Sequence, residues 1–209
     1  MTPEPPTSPA DSHGQELPPG QHRVAQPPVM HYGRIPQREP SSWTVTVGGA
    51  TATGDEHVFG LDQVTALPPV QQVADMHCAT RWSALGVSWG GVRARDLVEL
   101  APPAEDVTDA LVFAEFGYAA NVPLADLLSS NALLVTHLGG EPLTPERGAP
   151  LRLVIPHLYT WKGPKWLRGW NYLLPENPDR GFWEDRGYHA RGDAWREERF
   201  AKARPPSER

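Results

Sequence analysis

Proline and glycine interrupt this chain so often that no long helix can run through it. There are 24 prolines and 19 glycines among 209 residues. Proline removes a main-chain donor and clashes with the preceding helical turn, and glycine costs backbone entropy inside a helix. The chain therefore reads as rich in loops and turns, and not as a helix bundle. Hydrophobic residues make up 39%, ordinary for a water-soluble protein. A chain of this length can bury a real core.

Residues 1–27 are rich in Pro, Glu, Ser and Gly and carry no apolar periodicity. Such a stretch cannot bury enough surface to offset its ordering entropy. A disordered tail is expected over 1–27 and one folded domain over 28–209, starting near "PVMHYGRIP". Within it, "SSWTVTVGG" alternates Trp43, Val45 and Val47 with threonines, the pattern of a half-buried strand. Gly48 and Gly49 then offer a tight turn. "VQQVADMHC", "DALVFAEFGY", "ALLVTHLGG", "APLRLVIP" and "KWLRGWNYLL" read as further strands. "GLDQVTAL", "VRARDLVEL" and "NVPLADLLSSN" read as short helices, two of them stopped by proline pairs. Strands and helices mix without a regular βαβ period, which favours an α+β fold.

The net charge of −6 argues against nucleic-acid binding, which needs a cationic face. A single cysteine excludes an internal disulfide and any C-x-x-C metal or redox motif. No apolar run reaches the length of a membrane span. The N-terminus has neither a basic region followed by an apolar stretch nor a twin arginine, so a cytoplasmic protein is expected.

The lone Cys78 lies in "VADMHCATRWSALGVSWGG". It has three readings. It can be a small buried hydrophobe. It can be a nucleophile with a distant histidine, from His31, His137, His157 or His189; His77, its neighbour, points the other way on a strand. It can also give one soft sulfur to a metal whose other ligands come from a cofactor. A second constellation spans residues 147 to 170. Arg147, Arg152, Lys162, Lys165 and Arg168 alternate with Trp161, Trp166 and Trp170 around Gly163-Pro164. That is either a solvated basic face or an anion site, in which glycine lets main-chain N–H groups approach and Arg and Lys supply charge. Tyr118, in "EFGYAANVPL", sits between a strand and a helix, where side chains often face a site.

Together these stretches resemble the molybdopterin-binding domain of the sulfite oxidase family, most closely its short single-domain bacterial members. "HCATRWS" resembles the segment that gives the family's cysteine ligand. "EFGYAANVPL" resembles its Tyr-x-x-x-hydrophobic-Pro-Leu segment. "GGEPLTPERGAPLRLVIP" and "YTWKGPKWLRG" resemble the cofactor-binding segments that follow. The resemblance covers about residues 28 to 200. It implies an α+β core of mixed sheets with surrounding short helices and loops. The cofactor it implies is molybdenum-molybdopterin, with Cys78 as the protein thiolate on the metal. It implies Tyr118 and, more loosely, Arg81 as groups facing substrate. His31, Tyr32, Arg147, Arg152, Gly163, Pro164 and Lys165 would hold the cofactor.

The implied activity is transfer of an oxygen atom to or from a small sulfite- or sulfoxide-like substrate. A separate electron-transfer partner is expected, since no haem domain precedes the unit. Trp82 and Ser83 stand where sulfite oxidases are more cationic, and Phe116 where the sulfoxide-reductase branch has threonine. Two other classes remain open: a cofactor-free anion-binding module on the same fold, and a cysteine hydrolase.

Overall fold

The strands follow from alternation. Burial along 109–114 switches at every residue, as one face of a pleated strand meets a core. A computed structural model describes residues 16–31, 33–176 and 179–201. Its strands are β1 (His22–Val24), β2 (Thr44–Gly49), β3 (His57–Gly60), β4 (Pro69–His77), β5 (Trp82–Arg93), β6 (Asp109–Ala114), β7 (Ala119–Pro123), β8 (Leu133–Leu138), β9 (Glu141–Pro142), β10 (Arg152–Val154) and β11 (Leu167–Leu173). Three short helices join them: α1 (Leu61–Thr65), α2 (Ala94–Leu100) and α3 (Leu124–Leu127).

These strands make two mixed sheets with short helices and loops around them, an α+β arrangement. One sheet has the order β3-β2-β11-β6-β7, with β11 parallel to β2 and its other pairs antiparallel. At its centre Gly169 has φ 144°, and a Cβ there would lie 1.8 Å from the Thr46 carbonyl oxygen. Only glycine permits that approach. The second sheet is built on the long strand β5. β4 pairs along one edge of β5, from Ser83 to Val92, so β1 and β8 share the other edge. β10 continues beyond β8. The main core joins both sheets: Trp43, Val45, Val112 and Trp170 from one, Val92, Leu134 and Leu153 from the other.

Three local expectations change. The expected turn at Gly48-Gly49 lies inside β2, and the connection to β3 falls at residues 50–56. β5 carries no strand signal in the sequence because Gly86, Gly90 and Gly91 break its alternation. Gly91 is there because a Cβ would meet the Leu134 carbonyl oxygen at 2.0 Å. The expectation of a structureless tail does not hold over residues 16–27. Leu17 is 5% exposed, and β1 pairs in parallel with Trp82–Ala84. The main-chain donors of β5 supply what this Pro-rich segment lacks in apolar surface. Residues 1–15 lie outside the described residues.

A buried carboxylate ties α3 to the C-terminal segment. Asp126 accepts from Arg191 Nε and Nη2 at 2.9 and 3.0 Å and lies 2.8 Å from His157 Nε2. Burial alone would raise this carboxyl, but the bonds to His157 and Arg191 hold it at about 2. Relative to an ordinary 3.8 that depression stabilises the folded chain, by about 1 kcal/mol once solvent screening is counted. The contribution is complete above about pH 4 and is lost as pH falls toward 2.

Candidate active site

Cys78 leaves β4 into a tight reversal. Its N–H donates to the Trp82 carbonyl at 2.9 Å, and the Arg81 N–H donates to the Cys78 carbonyl at 3.0 Å. Arg81 closes this turn at φ 77°, a region that costs a residue with a Cβ about 1–2 kcal/mol. The N-terminal segment braces the turn from outside. Gln21 Nε2 donates to the Cys78 carbonyl at 3.1 Å, and the His22 N–H donates to the Arg81 carbonyl at 2.8 Å. The Arg81 guanidinium lies against Gly20 on that segment. The Cys78 sulfur is 8% exposed as a residue and accepts from Thr80 Oγ1 at 3.1 Å.

No histidine nitrogen bonds this sulfur among the described residues. His77 lies 2.8 Å from Ser83 Oγ, and burial lowers its pKa, so the ring is neutral at pH 7. His31 lies 3.1 Å from the Gly33 carbonyl. His137 pairs with Thr136, His157 with Asp126 and His189 with Glu198. The nucleophile–base geometry of a cysteine hydrolase is missing from this set.

Tyr118 follows the loop between β6 and β7. Its hydroxyl donates to the Trp161 carbonyl at 2.6 Å. Burial first, then the nearby charge of Glu184 and of a Cys78 thiolate, push its pKa far above the ordinary phenol value. It therefore keeps its proton at every physiological pH, close enough to Cys78 to feel that sulfur's charge.

The five cations of residues 147–170 divide. Three converge. Arg152 is buried, with its guanidinium 5.7 Å from the Trp89 ring centre, and Trp89 shares an apolar cluster with Cys78. Burial and the like charge of Arg147 lower its pKa to about 10. Arg147 donates to the Pro27 carbonyl at 2.9 Å, and Lys165 to the Met30 carbonyl at 2.6 Å. Met30 also links to the cysteine turn, its sulfur 3.9 Å from Thr80 Oγ1. Gly163 and Pro164 precede Lys165 and clamp it to β10. The Pro164 carbonyl accepts from the Leu153 N–H at 3.0 Å, and a Cβ on Gly163 would meet the Leu153 oxygen at 2.4 Å.

The other two cations serve different neighbours. Lys162 is fully buried and bonds Glu184, the Ala190 carbonyl and the Asn121 carbonyl. Arg168 bonds Thr44 and lies over Trp43, on the other sheet. His31 stands at the outer side, its ring 5.7 Å from that of Trp166. Tyr32 lies outside the described residues. Sequence reasoning did not single out Thr80 or Met30, and it named Trp166 only as one of the tryptophans between the cations; the positive φ of Trp166, 56°, leaves no local signal.

Among the described residues, Arg147, Arg152 and Lys165 join no ion pair, and the buried Arg152 Nε has no hydrogen-bond partner. Arg152 is buried and Arg147 and Lys165 are half-buried, and like charges so placed, with only the Glu146 carboxylate acting on Lys165 from a distance, oppose folding unless an anion joins them. That fits a phosphate-bearing cofactor. No group of three His, Cys, Asp or Glu among the described residues could hold a metal ion, so a metal at Cys78 would take its other ligands from that cofactor. A groove of about 820 Å³ is lined by Trp89, His137 and Leu151 among others and reaches none of Cys78, Tyr118 or the three cations.

Lys165 gives a pH test of this electrostatics. Burial first, then Arg152 and Arg147, lower its pKa to about 8 from 10.5. With the folded value below the unfolded one, protonated Lys165 opposes folding at neutral pH, and that penalty lifts as pH rises from about 8 toward 10.5. The Tm of the cofactor-free chain is expected to rise between about pH 7 and about pH 9.5 more steeply than that of Lys165→Met. Equal slopes in the two proteins refute it.

Two sheets of this topology, a buried cysteine near a protonated tyrosine, and a cation cluster without ion pairs suit a domain that binds an anionic cofactor. The chain matches, over residues 32–183, the family described as the oxidoreductase molybdopterin binding domain. It belongs to that family, the sulfite oxidase-like molybdopterin oxidoreductases. It is 42% identical over 197 residues to the uncharacterized oxidoreductase YuiH of Bacillus subtilis, covering 93% of this chain and 96% of that protein. It is 27% identical over 159 residues to a putative protein-methionine-sulfoxide reductase subunit, YedZ1, of Azospira oryzae, covering 76% of this chain and 60% of that one. The fold is similar to that of the sulfane dehydrogenase SoxCD of Paracoccus pantotrophus, with TM-score 0.61 and 16% identity, over 73% of this chain and 47% of that one. No helix among the described residues is long and apolar enough to cross a membrane.

Proposed function

We propose that this chain transfers an oxygen atom to or from a small sulfur-centred substrate at a molybdenum-pterin centre bound through Cys78, and exchanges electrons with a separate protein. The observation that carries the reading is the unpaired cluster of Arg147, Arg152 and Lys165, joined through Met30 to the turn that presents Cys78. The relative named as a methionine-sulfoxide reductase subunit supports a sulfur-centred substrate.

Each residue then has a physical role. Arg152 and Lys165 would bind the pterin's phosphate, with Arg147 and His31 beside them, and Gly163-Pro164 hold that loop against β10. Cys78, fixed by two main-chain bonds and screened from water, would give the thiolate. The bound cofactor would supply a centre that changes oxidation state by two electrons as oxygen enters or leaves the substrate. Oxidising the substrate sulfur takes its oxygen from water and releases two protons and two electrons; reduction consumes them. Tyr118 holds its proton throughout, and its hydroxyl, which donates to the Trp161 carbonyl, would have to turn from that bond to donate to the substrate oxygen. Arg81 would supply positive charge for an anionic substrate.

Elemental and pterin analysis of protein made in a host that synthesises the cofactor tests the reading. It expects about one molybdenum and one pterin per chain, with turnover of sulfite or a sulfoxide using an artificial electron carrier. Purified protein without molybdenum overturns it.

A further inference from the structure

Phe116 sits in the hairpin loop 115–117 in a conformation that opposes its chemistry twice. Its φ is 64°, where a Cβ crowds the neighbouring carbonyl and glycine or asparagine is favoured. Gly117 follows at φ 78°, so two left-handed residues occur in succession, as in hairpins that use Asn-Gly. The Phe116 ring is also 50% exposed and gains little from burial. Glycine or asparagine would make this loop with less strain.

The loop is attached to the site on both sides. The Glu115 N–H donates to the Trp166 carbonyl at 3.0 Å, one residue from Lys165, and Tyr118 lies two residues beyond Phe116. Arg34 covers the Phe116 ring, its guanidinium carbon 4.6 Å from the centroid. Glu115 holds Arg38 at 2.7 Å and Arg168 at 3.5 Å. Arg34 joins no ion pair among the described residues. The edge of the site thus places side by side the uncovered face of the Phe116 ring and a guanidinium that has no carboxylate partner among the described residues. Backbone strain kept under an exposed side chain beside a site points to a functional constraint.

We propose that Phe116 and Arg34 form the outer rim of the site and select an organic substrate with an apolar arm and a carboxylate over a bare inorganic oxyanion. The inference rests on the oxidoreductase reading above. The ring gives such an arm a flat apolar contact, and the guanidinium can take the carboxylate through two N–H groups. Sulfite carries charge but no apolar surface and gains nothing from the ring.

Three probes test it: 4-(methylsulfinyl)benzoate, methyl phenyl sulfoxide and sulfite, with binding to loaded protein followed by tryptophan fluorescence. Phe116→Gly is expected to raise the Tm of the cofactor-free chain by a few degrees. In loaded protein it should weaken both organic probes about tenfold and change sulfite less than about twofold. Phe116→Tyr should restore the organic affinities. Arg34→Gln should weaken the benzoate about fivefold and spare methyl phenyl sulfoxide. A lower Tm in Phe116→Gly, unchanged organic affinities, equal losses for sulfite, or a wild type that binds the benzoate no tighter than sulfite overturns the rim alone. Protein without molybdenum and pterin overturns the underlying reading instead.

Discussion

The Cys78→Ser variant is expected to fold, to keep its pterin, and to lose at least about a hundredfold in turnover. Serine matches cysteine closely in shape. Cys78 is held through its main chain, by bonds to Trp82, Arg81 and Gln21 that a side-chain change leaves in place. The side chain's partner, the Thr80 hydroxyl, can bond an oxygen as readily as a sulfur. Stability should therefore fall by less than about 1 kcal/mol, measured as a Tm within a few degrees of wild type. The metal environment should change far more, because a serine hydroxyl is a harder and much less acidic donor than a thiol. X-ray absorption on the loaded variant should show one sulfur neighbour fewer than wild type. Full turnover, or an unchanged sulfur count, removes Cys78 from the site.

Arg152→Met separates cofactor binding from folding by moving them in opposite directions. Arg152 is buried beside Arg147, its Nε has no partner, and burial lowers its pKa to about 10. Such a cation opposes the cofactor-free fold. Methionine keeps an unbranched apolar chain over Trp89, so the cofactor-free variant is expected to melt a few degrees above wild type. The same change removes the guanidinium fork from the cradle. Molybdenum and pterin content should fall at least about tenfold under identical expression. A variant that loads fully places Arg152 outside the cradle. One that melts well below wild type shows that its bond to the Arg147 carbonyl, at 3.2 Å, is structural.

β2, β4, β6, β8 and β11 were legible as short apolar or alternating runs bounded by turn residues, and α1 and α2 end at their proline pairs. β5 was not, because its glycines answer to the approach of Leu134 rather than to any local preference. The candidate site divides in the same way. Cys78, Tyr118, Arg147, Arg152 and Lys165 stood out by residue type and by likeness to family segments. Lys162 and Arg168 carried the same charge in the same stretch but went to Glu184 and Glu115. No spacing rule separates them, since a loop and an irregular strand without a fixed period decide which way each side chain leaves. Gln21 and His22 lay in a segment whose composition argued for disorder, yet they brace the cysteine turn.

The sequence by itself determined the α+β class, the order of most strands and helices, and the residue types that a soft metal and an anionic cofactor require. Pleat alternation, helix stops and donor chemistry are written in neighbouring residues. Only the tertiary structure decided which three of five cations converge, that residues 16–27 brace the turn at Cys78, and that Arg34 lies over Phe116. Those outcomes depend on contacts between residues tens of positions apart, which close packing of the two sheets sets and no local pattern encodes.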